Sequence, residues 1–584
     1  MIRKLFRKMS NAQIISALSG TLCPLIDSIV IGRFLGVDAM SSYGIAGPLI
    51  IVIAAVGIML TCGVQVRIGK ALGSGDRDAT DECYSSSIAL SLFISILAML
   101  MVFAAGDMLC MVLGAGTPSQ DNLIAILTRD YLRGYILGIP FFFLSQIMTA
   151  YLQAMGKQRL LVISVAAMTV TDVAFDLLSV YVFNGGMFGI GVASGLSFLA
   201  AFAVGLVYFM SKECIFGFRM NAVRPSCVLD IAKAGSPVLV SQSCYTVRVL
   251  FFNLMLLKIG GSVAVAAFAV VSTIANLVYS IGVGAGSVTL MLSSIFYSDE
   301  DRTSLLSLVR EMLGYTAFLI IITVSVVEIF SPAIIGVFLK GDRQCAELAV
   351  LGLRMFMIAV IFSVTDNVFK NYFQGINRTY ITNIISLLES VVILIPCVLI
   401  LSRFWGYTGF WAGVILGQIL TFSTVFLMIW RKYGRVSVSP EAVSYLDPLF
   451  GAGADNCIEM TVTDEKEAVI ASERFCGFCM EKGMEPKLVM RIGLCVEEIA
   501  INVIKHGFSG SGGNGDVDMR LVVNDDKTVL RFRDNCLSFD PTDYLKLHRD
   551  DDPVSHIGLR MTMGIVREAD YVNTLGLNNL TLVL

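Results

Sequence analysis

Twelve stretches of this chain are each mostly apolar over the roughly 20 residues that a helix needs to cross the hydrocarbon of a bilayer. They lie at about 12–34, 44–68, 84–106, 128–153, 159–183, 187–211, 232–257, 263–295, 312–332, 348–374, 380–402 and 407–430. With 56% hydrophobic residues in a length of 584, the chain is too apolar for a soluble protein and too long for a single domain. A membrane-embedded helical bundle is the fold that this pattern leaves. Near Ser437 the pattern stops. Residues 437–584 carry 24 acidic and 14 basic residues, a net of −10, so the remainder holds +7 of the overall −3. An acidic tail on a basic membrane body excludes nucleic acid as a partner of the tail.

Lys and Arg distribution orients the bundle. Arg3, Lys4, Arg7, Lys8, Lys70, Arg77, Lys157, Arg159, Lys212, Arg219, Arg224, Arg302 and Arg378 fall in one set of loops. The opposite set carries Lys258, Lys340, Arg343 and Arg403, with Arg33 at a helix end. An even number of spans then places both termini, and Arg431, Lys432 and Arg435, in the cytoplasm of a multi-pass plasma (inner) membrane protein. The basic amino terminus leads into a full span, not a cleavable signal. The 14 cysteines form no framework, as expected in a reducing compartment. Cys476-Gly-Phe-Cys479 falls inside a helical stretch, Glu467 to Lys482, and reads as core packing.

The membrane part repeats itself. Tyr151-Leu-Gln153-Ala-Met-Gly-Lys157 returns about 221 residues later as Tyr372-Phe-Gln374-Gly-Ile-Asn-Arg378. Gly189-Ile-Gly191-Val-Ala-Ser-Gly195 and Gly406-Tyr-Thr-Gly409-Phe-Trp-Ala-Gly413 recur at a similar offset. Two pseudo-symmetric halves of six helices imply a transporter with its substrate path between or within them. The expected division is 1–226, 227–436, a linker at 437–455 and a cytoplasmic domain at 456–584.

Carboxyl groups at membrane depth are costly and are functional candidates by default. They are Asp27 in the first span, Asp172 and Asp176 in the fifth, Asp366 in the tenth and Glu389 in the eleventh. Asp172 and Asp176 share one helix face, and two carboxylates on a dry face cannot both ionise cheaply, so one holds a proton or shares a cation. That is the chemistry of an ion-coupled exporter. The competing account is polar glue between helices. Asp366 has Lys370 four residues on, so an internal ion pair explains it equally well. Arg248, near the second-half counterpart of Asp27, breaks the charge symmetry of the repeat. It assigns cation coupling to the first lobe. With no Gly-x-x-x-x-Gly-Lys-Ser/Thr sequence anywhere, a P-loop pump is not expected.

Pro24-Leu-Ile-Asp27-Ser-Ile-Val-Ile-Gly32-Arg33-Phe-Leu-Gly36, then Gly69-Lys70-Ala-Leu-Gly73-Ser-Gly75-Asp76, then Tyr151 to Lys157, resemble the multidrug and toxic compound extrusion (MATE) family over about residues 10–435. The resemblance implies a secondary antiporter that expels small organic cations in exchange for Na⁺ or H⁺ and sits among membrane lipid. It also implies that acids matching Asp27 and Asp176 line an amino-terminal cavity, and that Asp366 matches an acid of one branch. The second half departs from the pattern. Tyr297-Ser-Asp299-Glu300-Asp301-Arg302 stands where the glycine-rich loop would recur.

Beyond the linker, Cys457–Thr463 alternates like a strand, and Asp464 caps a following helix. A second helix, about Glu485–Lys505, carries Glu498 and Asn502 on one face. Val517–Val523 and Thr528–Arg533 form a hairpin after the Gly510–Gly515 turn, and Gly558–Glu568 is a helix leading to a strand at Leu580–Leu584. This order, an α+β sandwich, resembles the histidine-kinase/Hsp90-like ATPase superfamily and its anti-sigma-factor kinase branch. The resemblance makes Glu498 a general base, Asn502 a Mg²⁺ ligand, Asp534 the acceptor for the adenine amino group and Gly558 part of the ATP lid. Two glycine motifs have changed, to Asp534-Asn-Cys536 and His556-Ile-Gly558, and a side chain where backbone must approach a ligand obstructs it.

The expected function is a cation-coupled exporter with a regulatory ATP-binding-like tail that serves the exporter or a cytoplasmic regulatory protein. A lipid-linked oligosaccharide flippase is the alternative, and needs a large cationic cavity. In another, the membrane part is a sensor and the tail an anti-sigma-type regulator or Ser/Thr kinase. A sensor histidine kinase lacks support, because His506, His548 and His556 all lie inside the tail domain.

Overall fold

The computed structural model describes residues 2–74, 76–118, 122–211, 214, 216–338, 343–433, 439–447, 450–451, 454–508, 515–523, 528–536, 539–547 and 557–584. Among them ten helices are long and apolar enough to cross a membrane. The pair Leu123–Ile136 and Ile139–Ala154, bent by 48°, makes an eleventh. The last of these helices, Thr379–Lys432, has 54 residues. At 1.5 Å per residue that is about 80 Å, far beyond the ~30 Å of hydrocarbon. It breaks at Trp405 and Gly406, whose backbone is non-helical. Past the break the chain doubles back. A Cβ on Gly409 would strike Leu401, on Gly413 Val398 and on Gly417 Leu394, an antiparallel register between two packed helices. Among the described residues the bundle therefore has twelve spans.

The repeat is visible in its turns. Gly36, Gly156 and Gly186 have positive φ in the first half, and Gly261, Asn377 and Gly406 take the same conformation at matching points of the second. The copied Tyr-x-Gln motif ends a helix in the same way twice. Lys157 N donates to Leu152 O at 2.9 Å and Arg378 N to Phe373 O at 2.7 Å, closing a turn over the left-handed residue, the cap for which Gly and Asn are suited.

The first span starts at Ile2, earlier than the apolar pattern at residue 12. Its opening turns carry Arg3 and Arg7, both paired with Glu311 of the ninth span (3.5 and 3.3 Å), while Phe6 and Met9 are buried. Charge masked a helix that is amphipathic before it is apolar. Of the expected linker, 437–438, 448–449 and 452–453 lie outside the described residues. The rest is packed on the bundle, with Ser444 O accepting from Tyr372 Oη at 3.0 Å.

The tail is a five-stranded antiparallel sheet of β1 (Cys457–Val462), β2 (Val517–Val523), β3 (Thr528–Asp534), β4 (Glu568–Thr574) and β5 (Leu577–Val583), in the spatial order β1-β2-β3-β5-β4. Helices Glu465–Glu481, Pro486–Asn502 and Ile557–Ile565 cover one face, where Phe475, Ile492 and Val496 meet Met519, Leu521, Leu530 and Phe532. Asp464 caps its helix through Glu467 N at 2.8 Å, and Glu467 returns a bond to Thr463 N at 2.7 Å, a reciprocal cap. Two elements differ from expectation. Strand β4 begins at Glu568, where the expected helix ends, and runs through residues expected only to lead to the last strand, because pairing with β5 overrides a polar local sequence. Helix Pro541–Leu547 is an addition.

Candidate functional site

A cavity of ≈ 780 Å³ lies between the two six-helix lobes. Asp27 and Asp172 line it from the first lobe, and Arg248, Lys370 and Glu389 from the second. Asp27 is within interaction distance of both Asp172 and Asp176, so the first and fifth spans bring three carboxyl groups together. Cys23 Sγ, one turn before Asp27, contacts Thr169 Oγ1 at 3.7 Å on the same pair of helices. Asp176 is fully buried behind the cavity wall. Neither of its oxygens, nor Oδ1 of Asp27, finds a hydrogen-bond partner. An unpartnered buried carboxyl oxygen is expensive, and three carboxyl groups facing one another, two of them with such oxygens, are poorly explained as glue.

The second lobe is arranged differently. Lys370 does not pair with Asp366 as its i+4 position allows. Its Nζ donates to Glu389 Oε2 at 2.7 Å, and Glu389 also accepts from Ser363 at 2.6 Å and faces Arg248 at 3.9 Å. Glu389, a candidate by its depth alone, is thus the hub of a closed charge cluster. Asp366 is buried with both oxygens unpartnered and does not line the cavity. The pairing failed as an expectation because i+4 spacing ignores a carboxylate arriving from the next span.

One end of the cavity is shut, the end at which the tail sits. Gln65 Nε2 donates to Gln153 Oε1 at 2.8 Å and across the lobes to Ser287 Oγ at 2.9 Å, and Gln13 Nε2 joins at 3.2 Å. Below this floor the second span presses directly on the eighth. Ser298 Oγ donates to Lys70 O at 2.7 Å, and a Cβ on Gly69 or Gly73 would collide with Ser294 or Ile295. The glycines of Gly69-Lys70-Ala-Leu-Gly73 therefore let two backbones touch. Sequence reasoning missed this seal and its glutamines, although the i, i+4 glycine pair was the signal.

In the tail, Gly558 is brought against Glu498, whose carboxylate occupies the place a Cβ on Gly558 would take. Asp534 ends β3, buried, with Oδ1 accepting from Asn578 Nδ2 at 2.8 Å and Cys536 N at 2.9 Å. Burial raises its carboxyl above the ordinary range. Cys536 packs against Gly507, one helical turn beyond Asn502. Asp534 is thus a buried acceptor fixed by Asn578 and the Cys536 backbone. The space between Glu498 and the Ile557–Ile565 helix is closed in this conformation. His548 and His556 lie outside the described residues.

The MatE family profile matches residues 13–178 and 237–400, and the histidine kinase-like ATPase domain profile matches 463–584. Multidrug export protein MepA of Staphylococcus saprophyticus is 23% identical over 435 residues, covering 74% of this chain and 94% of its own length. MepA of Staphylococcus aureus strain MRSA252 is 21% identical over 426 residues, with coverage of 72% and 92%. Two solved structures share the bundle at a TM-score of 0.69 and 18% identity. One is a MATE in complex with MaL6 (76% of this chain, 98% of that one), the other an outward-facing MATE family transporter of the MOP superfamily (76% and 97%). With the twelve-span repeat and the antiparallel sheet domain in place, the chain belongs to the MatE family and carries a histidine kinase-like ATPase domain after its last span.

Proposed function

We propose that this protein is a cation-coupled antiporter that exports small organic cations across the plasma membrane, exchanging them for H⁺ or Na⁺, and that its cytoplasmic tail regulates export without powering it. The observation that carries the reading is the Asp27–Asp172–Asp176 cluster at the edge of an interlobe cavity sealed at one end. A cationic drug and the coupling ion can compete for that acidic site, and a gate at one end is what alternating access requires. The flippase reading needs a cationic cavity. Here Glu389 takes up Lys370 and faces Arg248, which leaves the first-lobe acids to set the polarity.

Purified protein in liposomes, loaded with a cationic dye and given a pH or Na⁺ gradient, tests this. Dye leaves with one gradient and not with an equal membrane potential alone. Dye movement indifferent to both gradients rejects the reading. Orientation is checked separately: a reporter active only outside the cytoplasm, fused after Leu584, stays silent. A strong signal there would invert the topology.

For the tail, the residues support a nucleotide held by Asp534 and Asn578 at the base and by Asn502 through Mg²⁺, with Glu498 placed as base. Binding requires the Ile557–Ile565 helix to lift from Glu498. In the full-length protein, Asn502→Ala is expected to eliminate Mg²⁺-dependent binding of labelled ATP. Cys536→Gly, which removes the side chain packed on Gly507, is expected to tighten it about tenfold, a difference of ~1.4 kcal/mol. Equal binding by all three proteins would remove nucleotide from the account.

A further inference from the structure

The face of the tail sheet opposite its helices carries three arginines. Side chains alternate across a strand, so with Met519, Leu521, Leu530 and Phe532 under the helices, Arg520, Arg531 and Arg533 point the other way. Arg520 and Arg531 sit directly opposite in register. A free sheet face would hold three like charges in water. Instead their side chains are only 8, 7 and 5% exposed, because the loop between the eighth and ninth spans is seated on them.

That loop is Asp299-Glu300-Asp301. Asp301, with no exposed side-chain surface, meets Arg531 at 2.8 Å, Arg520 at 3.5 Å and Arg533 at 3.6 Å. Its remaining capacity goes to Ser304 N at 3.0 Å, Ser304 Oγ at 2.6 Å and Thr303 Oγ1 at 2.9 Å. Asp299 pairs with Arg531 and Arg533, and Glu300 O accepts from Arg520 at 3.2 Å. Burial opposes the charge of Asp301, but Arg531, Arg533 and Arg520 outweigh it and hold the carboxyl well below the ordinary range. Asp301 repeats the capping role of Asp76 in the first half (Ala79 N, 2.9 Å). The repeat kept the cap and replaced the glycine-rich lead-in with acids. Polarity is inverted on both sides: the basic body offers acids here, and the acidic tail offers arginines.

A second contact reaches the other lobe. The β4–β5 turn, with Leu575 and Gly576 at positive φ, inserts at the end of the fourth span. Leu575 N donates to Ala154 O, and Gly156 lies so close to Gly576 that a Cβ would not fit. Leu575 and Leu577 join the buried cluster of the bundle, and Arg77 at the start of the third span donates to Tyr571 O at 3.0 Å.

We propose that the tail is a clasp: its arginine face grips the Asp299–Asp301 loop of the second lobe while its β4–β5 turn is seated on the first lobe. A docked tail therefore holds the sealed end of the bundle shut, and must release one lobe before that end opens. Buried guanidinium groups are costly without partners, so the grip is an all-or-none contact, suited to a two-state element.

Arg531→Glu with Arg533→Glu in the full-length protein tests this. Spin labels carried on unnatural amino acids at exposed Asp78 and Arg310, one per lobe, are expected to show one short distance in the parent protein and an added longer population in the double variant. Gradient-driven export should rise about fivefold, the lower end of coupling between sites. Adding Thr303→Cys and Glu459→Cys, whose parent side chains meet at 2.8 Å, should return the short distance and the slow rate on oxidation and release both on reduction. Unchanged distances in the double variant, or slower export with a lengthened distance, overturns the clasp. The rate arm rests on the exporter reading and the distance arm does not. Distances that respond in a protein that exports nothing would reject the exporter and keep the clasp.

Discussion

Asp27→Asn and Asp176→Asn are each expected to reduce gradient-driven export of a cationic dye by at least about 100-fold, because an ion that no longer binds one state better than the other cannot drive exchange. Asparagine keeps the shape of the side chain and removes only its ability to hold a proton or balance a cation. Fold is preserved in such a change, and monodispersity after purification would verify it. Asp176 is the sharper of the two tests. It does not line the cavity, so its loss cannot be ascribed to a missing drug contact. Asp366 supplies the comparison, being as deeply buried and as unpartnered, but in the lobe where Lys370 and Glu389 already pair. Asp366→Asn should export more slowly and remain gradient-dependent. Near-parent export by both first-lobe variants, or loss of coupling in Asp366→Asn alone, would move coupling to the second lobe.

The spans were legible because lipid leaves a chain few options, and a run of about 20 apolar residues has one reading. Positions of charge within them were legible for the same reason: Asp27, Asp172 and Asp176 stand out against apolar neighbours, and the fold brings them together. Partners were not legible. Lys370 chose Glu389 over Asp366 through a helix–helix contact that no spacing encodes. Strand β4 was lost for a similar reason, since Glu568–Thr574 is a strand only beside β5. The dock was the largest omission. Asp299, Glu300 and Asp301 stood out as a broken repeat, but Arg520, Arg531 and Arg533 were passed over inside the expected hairpin. Each half reads as solvated surface alone, and only their juxtaposition, more than 200 residues apart in the chain, gives them a role.

Gly69→Leu is expected to abolish export by the opposite fault, leaving the coupling site intact and the seal unable to form. At Gly69 the second span lies against Ser294 of the eighth so closely that even one methyl group has no room. Ser294 in turn donates to Gln65 O at 3.2 Å, so the neighbour that would have to yield is itself held. Overpacking a tight contact typically costs 1–3 kcal/mol, comparable with the few kcal/mol that separate two transport conformations. The variant therefore rests with this end open. Labels at Asp78 and Arg310 should report the longer distance throughout, and dye binding should persist while export stops. Gly69→Ala is expected to show the same shift in part. Ser294→Gly, added to Gly69→Ala, removes the obstructing side chain and should restore both the short distance and export, an interaction between neighbours that independent damage to the two helices could not produce. Full export by Gly69→Leu would mean that the second and eighth spans need not meet at this end. A Gly69→Ala defect that Ser294→Gly fails to relieve would trace the loss to the second span itself. The rescue separates these outcomes because the close approach has only two sides, and glycine on either one is enough to admit a methyl group on the other.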